Sequence, residues 1–272
     1  MRSCATIRMC GARMSRAYAQ KLLSPLRTIQ GLLPLALGLL LWQILAAPNS
    51  PYFPPPSTWW DSYWHLAAGG RLRTALLSTL GTFALGLLAS IAIGFLGGIL
   101  IGRSRLARRA LGPLLEFCRG LPPPVLVPVA VLLLGYSQNL KLLNVVWVAC
   151  WPILLNTSSA ASRIDQLLLD VCRTFHLSPL DRLRKVIAPA VVPDFLIGVR
   201  VAIPLAIIIT LLVEMMTGLP GIGSMIVTSQ RQFRSAEVYG LLVLVGLLGF
   251  LINIGFNAVE RRILRRWPPL ER

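Results

Sequence analysis

Apolar and polar positions fall along this chain in long blocks. The first apolar block is Gly31–Ala47, 17 residues without a charge. As a helix it is about 26 Å long, close to the roughly 30 Å of a bilayer's hydrocarbon core. Leu76–Ile101 follows, again uncharged; at about 39 Å as a straight helix it must tilt or protrude. Leu121–Tyr136 opens on a proline cluster, and Pro128 is expected to kink it. Leu142–Asn156, Phe195–Met216 and Gly240–Val259 complete the set. Six such runs predict an all-α polytopic membrane protein with six transmembrane helices. The pattern divides the chain into a basic tail, 1–28, a membrane domain, 29–259, and a second basic tail, 260–272.

The connections carry their own signals. Pro48, Pro51 and Pro54–Pro56 end the first helix. Ser57 is placed to cap the next. Trp59, Trp60, Tyr63 and Trp64 then read as an interfacial aromatic belt, or as a short helix packed on its own loop. Ser137–Lys141 reads as a five-residue link, and Thr217–Tyr239 as a glycine-bearing loop. Gly94, Gly98 and Gly102 stand four apart, a spacing that lets two helices approach closely in lipid.

Charge sets an orientation. The chain has 27 Lys+Arg against 10 Asp+Glu, a formal net charge of +17. Such an excess points either to nucleic acid or to membrane topology. Here the arginines bunch between apolar runs: in the N-tail, 103–119, 163–185 and the C-tail. With an even number of spans all four fall on one side, so topology is the better reading and nucleic acid is not a partner. Both termini are then cytoplasmic, and 48–74, 137–141 and 217–239 face out.

Candidate chemistry is sparse. The five cysteines make no CxxC pair, and the two histidines stand alone, so no metal site is expected. None of Lys21, Lys141 and Lys185 follows a glycine, so the chain lacks a P-loop. It shows no HExxH, no GxSxG and no polar catalytic cluster at one depth. A membrane-embedded enzyme is therefore disfavoured, and a secondary transporter with several buried acids is too. Two charges interrupt the fifth run, Arg200 and Glu214, about 21 Å apart along a helix. Both are candidate gate or pathway residues. Glu214 is expected near the outer surface, satisfied by backbone amides of "GLPGIG". Arg200 is expected to pair with Asp194 or to snorkel.

One polar segment is structured. "DVCRTFHLSPLDRLRKVIAPAVVP", Asp170–Pro193, reads as two short helices within about 165–190. "HLSPLD" breaks them; Ser178 caps the second, Pro179 takes its first position and Asp181 its first turn. A capped, amphipathic helix–turn–helix is built to dock on something.

Its spacing resembles the coupling loop of binding-protein-dependent ABC importer permeases: Glu-Ala-Ala, three residues, Gly, about nine residues, then Ile, an apolar residue and Pro. Asp170 takes the Glu position, Val171 and Cys172 the Ala-Ala positions, His176 the Gly position, and Ile187, Ala188 and Pro189 the end. Asp for Glu, Val-Cys for Ala-Ala and His for Gly depart from the pattern. "RGLPPPVLVPVAVLLLGYSQNLKLL", "WPILLNTSSAASRID" and "LLVEMMTGLPGIGSMI" are similar to the sulfonate, nitrate and taurine branch. The resemblance implies a type I importer permease fold in a bacterial inner membrane. It implies no cofactor of its own, since a partner subunit binds ATP. The implied partners are a cytoplasmic ATPase docked at Asp170–Pro189, a second permease copy and an extracytoplasmic binding protein. The implied substrate is a small anion.

Overall fold

The computed structural model describes residues 25–47, 50 and 52–266; the side chains of 25–32, 35, 166 and 169 fall outside that description, as do the tail residues 1–24 and 267–272. Among the described residues every element is helical: α1 Pro25–Leu45, α2 Pro56–Ala68, α3 Arg71–Arg103, α4 Arg105–Gly120, α5 Pro123–Leu134, α6 Gln138–Ser162, α7 Gln166–Thr174 and α8 Pro179–Arg182. A π-turn, Leu183–Ile187, leads into α9 Ala188–Thr217, followed by α10 Ile222–Arg231 and α11 Ser235–Arg266.

Among the described residues, four stretches are long and apolar enough to cross a bilayer: α3, α6, the continuous run Pro179–Thr217, and α11. The first apolar run forms the C-terminal part of α1. The 103–119 stretch, expected as a loop, is largely the helix α4, and the third run supplies only a short helix beyond it. Its 12-residue α5 meets α4 at a bend of 94°, and the two make a fifth span only as a broken pair. Three consecutive prolines, 122–124, explain the break, because none can donate a helical N–H. Pro128, expected to kink this run, lies inside α5. α11 runs on to Arg266, past the expected boundary at 259.

Three helices form the core. α6 lies between α3 and α9, and Phe83, Val145, Ala149, Ile153, Val199, Ala202 and Ala206 meet there. The glycine row of α3 seats it on α6. A Cβ on Gly94 would fall 2.8 Å from Ile153, on Gly98 2.6 Å from Thr157, and on Gly102 2.5 Å from the Ser158 carbonyl. Ser90 continues the row, fully buried, its hydroxyl donating to the Gly86 carbonyl at 2.7 Å. Without Cβ atoms the backbones approach to the distance at which dispersion does the holding, since lipid supplies no hydrophobic drive between helices.

The bundle has two unlike ends. At one, α2 packs by Trp59, which stacks on Tyr239 with ring centroids 5.2 Å apart while Trp42 meets both edge-on. Ser57 is not a cap there: the helix begins at Pro56, and the Ser57 amide donates to Gln43 Oε1 at 3.0 Å. Trp60 and Trp64 stay exposed. At the other, basic end, Ile99, Ala160, Ala161, Ile187 and Val191 form a small cluster.

Gly98→Leu should therefore separate α3 from α6, at a cost of about 1–3 kcal/mol for overpacking. Gly97, whose Cβ would make an ordinary 3.6 Å contact with Leu154, is the control. Thermal unfolding of the detergent-solubilised protein should show a lowered midpoint for Gly98→Leu and little change for Gly97→Leu.

Candidate functional site

Glu214 sits in the last turn of α9 and is fully buried. Lys141 Nζ approaches its Oε1 to 2.8 Å, and the lysine is buried as well. The rest of the site satisfies what these two leave open. The Gly223 amide donates to Oε2 at 3.0 Å. The Thr79 hydroxyl lies 3.0 Å from one carboxylate oxygen and 2.9 Å from the other, and accepts from the Ile222 amide at 2.9 Å. Lys141 has three protons to place. The second goes to Ser78 Oγ at 3.0 Å and the third to the Pro220 carbonyl at 2.9 Å. α3, α6, α9 and the loop before α10 are thus tied at one point.

Glycine is required where the loop crosses the carboxylate. A Cβ on Gly221 would fall 2.0 Å from the Glu214 carboxyl carbon. The expectation that backbone amides satisfy Glu214 therefore holds for Gly223, but it omitted the cation. Lys141 is not in an outward link: Ser137 caps α6, its Oγ accepting the Leu140 amide at 3.3 Å, and Lys141 lies in the first turn. The sequence signal was depth. Glu214 ends its apolar run and Lys141 precedes its own, so antiparallel helices bring them level.

Arg200 does not join this site. Its guanidinium meets the Glu260 carboxylate and lies 3.4 Å from Asn257 Oδ1, both on α11. The expected Asp194 partner pairs with Arg163 at 3.3 Å instead. Six residues at about 100° each put Asp194 and Arg200 about 120° apart around the helix and on different faces, which prevents their pairing.

The second site lies at the basic end. Asp165 caps α7 by accepting the Leu167 amide at 2.9 Å. Asp170 pairs with Arg173 at 2.8 Å, both exposed. The helix closes with the His176 amide donating to the Arg173 carbonyl at 2.9 Å and the Leu177 amide to the Cys172 carbonyl at 3.0 Å. That pattern requires a left-handed residue, and His176 has φ 50°. The glycine-like position is real in the backbone although histidine fills it. Ser178 then caps α8 by accepting the Asp181 amide at 3.1 Å, and Pro179 takes the first helical position.

Beyond α8 the helix widens. The Ala188 amide reaches the Leu183 carbonyl, five residues back. Pro189 offers no N–H, and its ring would crowd the Lys185 carbonyl; a wider turn relieves both. Ile187 is buried in the cluster with Ile99 and Ala160, Ala188 and Pro189 open α9, and Cys172 is buried too. Val171, Phe175 and Leu180 remain exposed. The element has an anchored side and an unpartnered apolar side.

Removing one member of a buried pair leaves the other uncompensated, at about 3–5 kcal/mol. Lys141→Met and Glu214→Gln should each lower the unfolding temperature of the solubilised protein. The double replacement should recover a substantial part of that loss, which a double-mutant cycle measures.

Comparison with known proteins agrees with this architecture. Residues 90–267 match the family model described as the binding-protein-dependent transport system inner membrane component. The bicarbonate transport system permease protein CmpB of Synechocystis sp. is 29% identical over 237 residues, covering 83% of this chain and 85% of its own. The nitrate import permease protein NrtB of Leptolyngbya laminosa is 30% identical over 210 residues, covering 76% and 72%. The putative aliphatic sulfonates transport permease protein SsuC of Bacillus subtilis is 27% identical, covering 87% of each. A solved structure of the MetNI methionine ABC transporter, inward facing, superposes with a TM-score of 0.61 at 18% identity, over 72% of this chain and 98% of that one. The chain belongs to the inner membrane components of binding-protein-dependent transport systems, and is a multi-pass permease subunit of an ABC importer.

Proposed function

We propose that this permease forms, with a second copy of itself, the membrane pathway for a small oxyanion, and that Asp170–Pro189 is where a cytoplasmic ATPase docks. The observation that carries the docking reading is the left-handed His176 between two capped helices, with Val171, Phe175 and Leu180 exposed and Ile187 anchored in the core. An apolar face on a rigid turn suits a groove on a soluble partner. Ile187 and Pro189 give such a partner a direct hold on α9. ATP is then bound by that partner, and an extracytoplasmic binding protein delivers the substrate.

Bicarbonate, nitrate and aliphatic sulfonates, named for the relatives, share one chemistry: a compact anion with its charge spread over oxygens. The substrate proposal rests on that common property. The Lys141–Glu214 lock lies at the end away from the docking element, which suits a closed outer gate better than a proton carrier. The arginine-rich 103–109 and 163–185 stretches support a cytoplasmic docking end, with both termini on the same side.

Pull-down of the ATPase from solubilised membranes tests the docking element. Asp170→Lys puts a positive charge in the helix that Arg173 already serves, and should reduce recovery while the chain inserts normally. Deletion of Phe175–Asp181 should abolish recovery. His176→Gly relieves a left-handed penalty of about 1 kcal/mol and should match or exceed wild type. Unchanged recovery in all three would make the segment a solvated loop.

Orientation is checked separately by thiol labelling of intact cells. A cysteine introduced at the exposed Gln232 should react with an impermeant reagent, and one at Arg109 should not.

A further inference from the structure

A cavity of about 420 Å³ lies between the α4–α5 corner, the middle of α6 and α9. Its wall includes Arg119, Trp147, Trp151, Asn156 and Leu205. Trp147–Asn156 bracket the midpoint of α6, and Leu205 sits near the middle of α9, so the cavity lies at mid-bilayer depth. Two side chains there, Arg119 and Trp151, are incompletely satisfied. Arg119 stands beside the proline break, with its side chain about half exposed, at a depth where an exposed arginine must face water or protein. Its single ion pair, to Glu116 on its own helix at 3.6 Å, is long and exposed. The Trp151 indole nitrogen is buried with no acceptor; a donor left so carries a cost of about 1–3 kcal/mol. Broken backbone at this depth is tolerated where it lines a cavity.

We propose that this cavity is the transmembrane station for a small oxyanion, held by the Arg119 guanidinium, with the Trp151 ring in its wall. The inference rests on the permease reading above and adds the site and its residues. Guanidinium offers a planar fork that matches two oxygens of a carbonate, nitrate or sulfonate group. Trp151 and Trp147 meet in a T-shaped pair with ring centroids 5.5 Å apart, which fixes that wall of the cavity. At about 30 Å³ per water, the volume holds the ion with much of its hydration, which suits passage better than tight retention.

The test uses cells in which the native gene is replaced by wild type, Arg119→Gln, Arg119→Lys or Trp151→Phe. Initial uptake of labelled nitrate, bicarbonate and ethanesulfonate is measured, and ATPase recovery and ATP hydrolysis by the purified complex are measured alongside. The expected result is uptake of one of these anions by wild type. Arg119→Gln should lower it about tenfold or more, the loss of a charged hydrogen bond. Arg119→Lys should keep part of it, Trp151→Phe should raise KM, and ATPase recovery should be unchanged throughout. Wild-type uptake in Arg119→Gln overturns the proposal, as does uptake of none of the three anions by a wild-type complex that assembles and hydrolyses ATP. Should Arg119→Gln fail to accumulate, wild-type kinetics in both Arg119→Lys and Trp151→Phe overturn it. Failure of wild type to recover any ATPase brings down the underlying permease–ATPase reading instead.

Discussion

A carboxylate cannot be left alone in a low-dielectric interior, and Glu214 is fully enclosed. Most of one end of this protein follows from that constraint. The Lys141 ammonium neutralises it at 2.8 Å. The Gly223 amide and Thr79 hydroxyl take its remaining lone pairs, and Pro220 and Ser78 take the remaining ammonium protons. The partners come from α3, α6 and the loop leading into α10, so satisfying the charge fixes these segments against α9 and one another. A buried pair of this kind is weak evidence for net stability against an apolar replacement. Its contribution is register: the loop before α10 fits over α9 in one position.

The same logic, with packing in place of charge, operates along the rest of α3. Gly94, Gly98 and Gly102 bring its backbone against α6, and Gly198 brings α9 against α6 from the other side, where a Cβ would fall 2.7 Å from the Pro152 carbonyl. α6 is therefore clasped on two faces. By contrast α11 exposes Leu242, Val243, Leu247, Phe250 and Leu251. That face suits lipid or a second copy.

Much of this was legible in the sequence. Apolar runs long enough to span gave α3, α6, α9 and α11. The four-residue glycine spacing marked a close-packing face on α3 but did not name α6 as its partner. Ser178 and Pro179 marked the start of the second short helix, and the family resemblance put His176 at a glycine position, which the backbone bears out with φ 50°. What escaped shares a cause: it depends on where separate runs meet. Lys141 reads as a loop residue until α6 is known to begin before it. Arg200 reads as a partner of Asp194 until helical phase turns it toward α11. Three prolines announce a break at 122–124, but nothing local says that the chain turns through 94° there.

The two ends, so different in chemistry, are built by the same three helices. At one end Thr79 of α3, Lys141 of α6 and Glu214 of α9 share a hydrogen-bond network. At the other, Ile99 of α3, Ala160 and Ala161 of α6 and Val191 of α9 share an apolar cluster with Ile187. Between them glycine contacts hold the backbones too close to slide, since packed interfaces move between discrete arrangements and do not deform continuously. A force applied at Phe175 or Ile187 therefore does not bend α9 on its own. On the docking reading proposed above, it would turn α3, α6 and α9 together and carry the Glu214 network with them, because the same contacts that tie the two ends leave these helices no independent path.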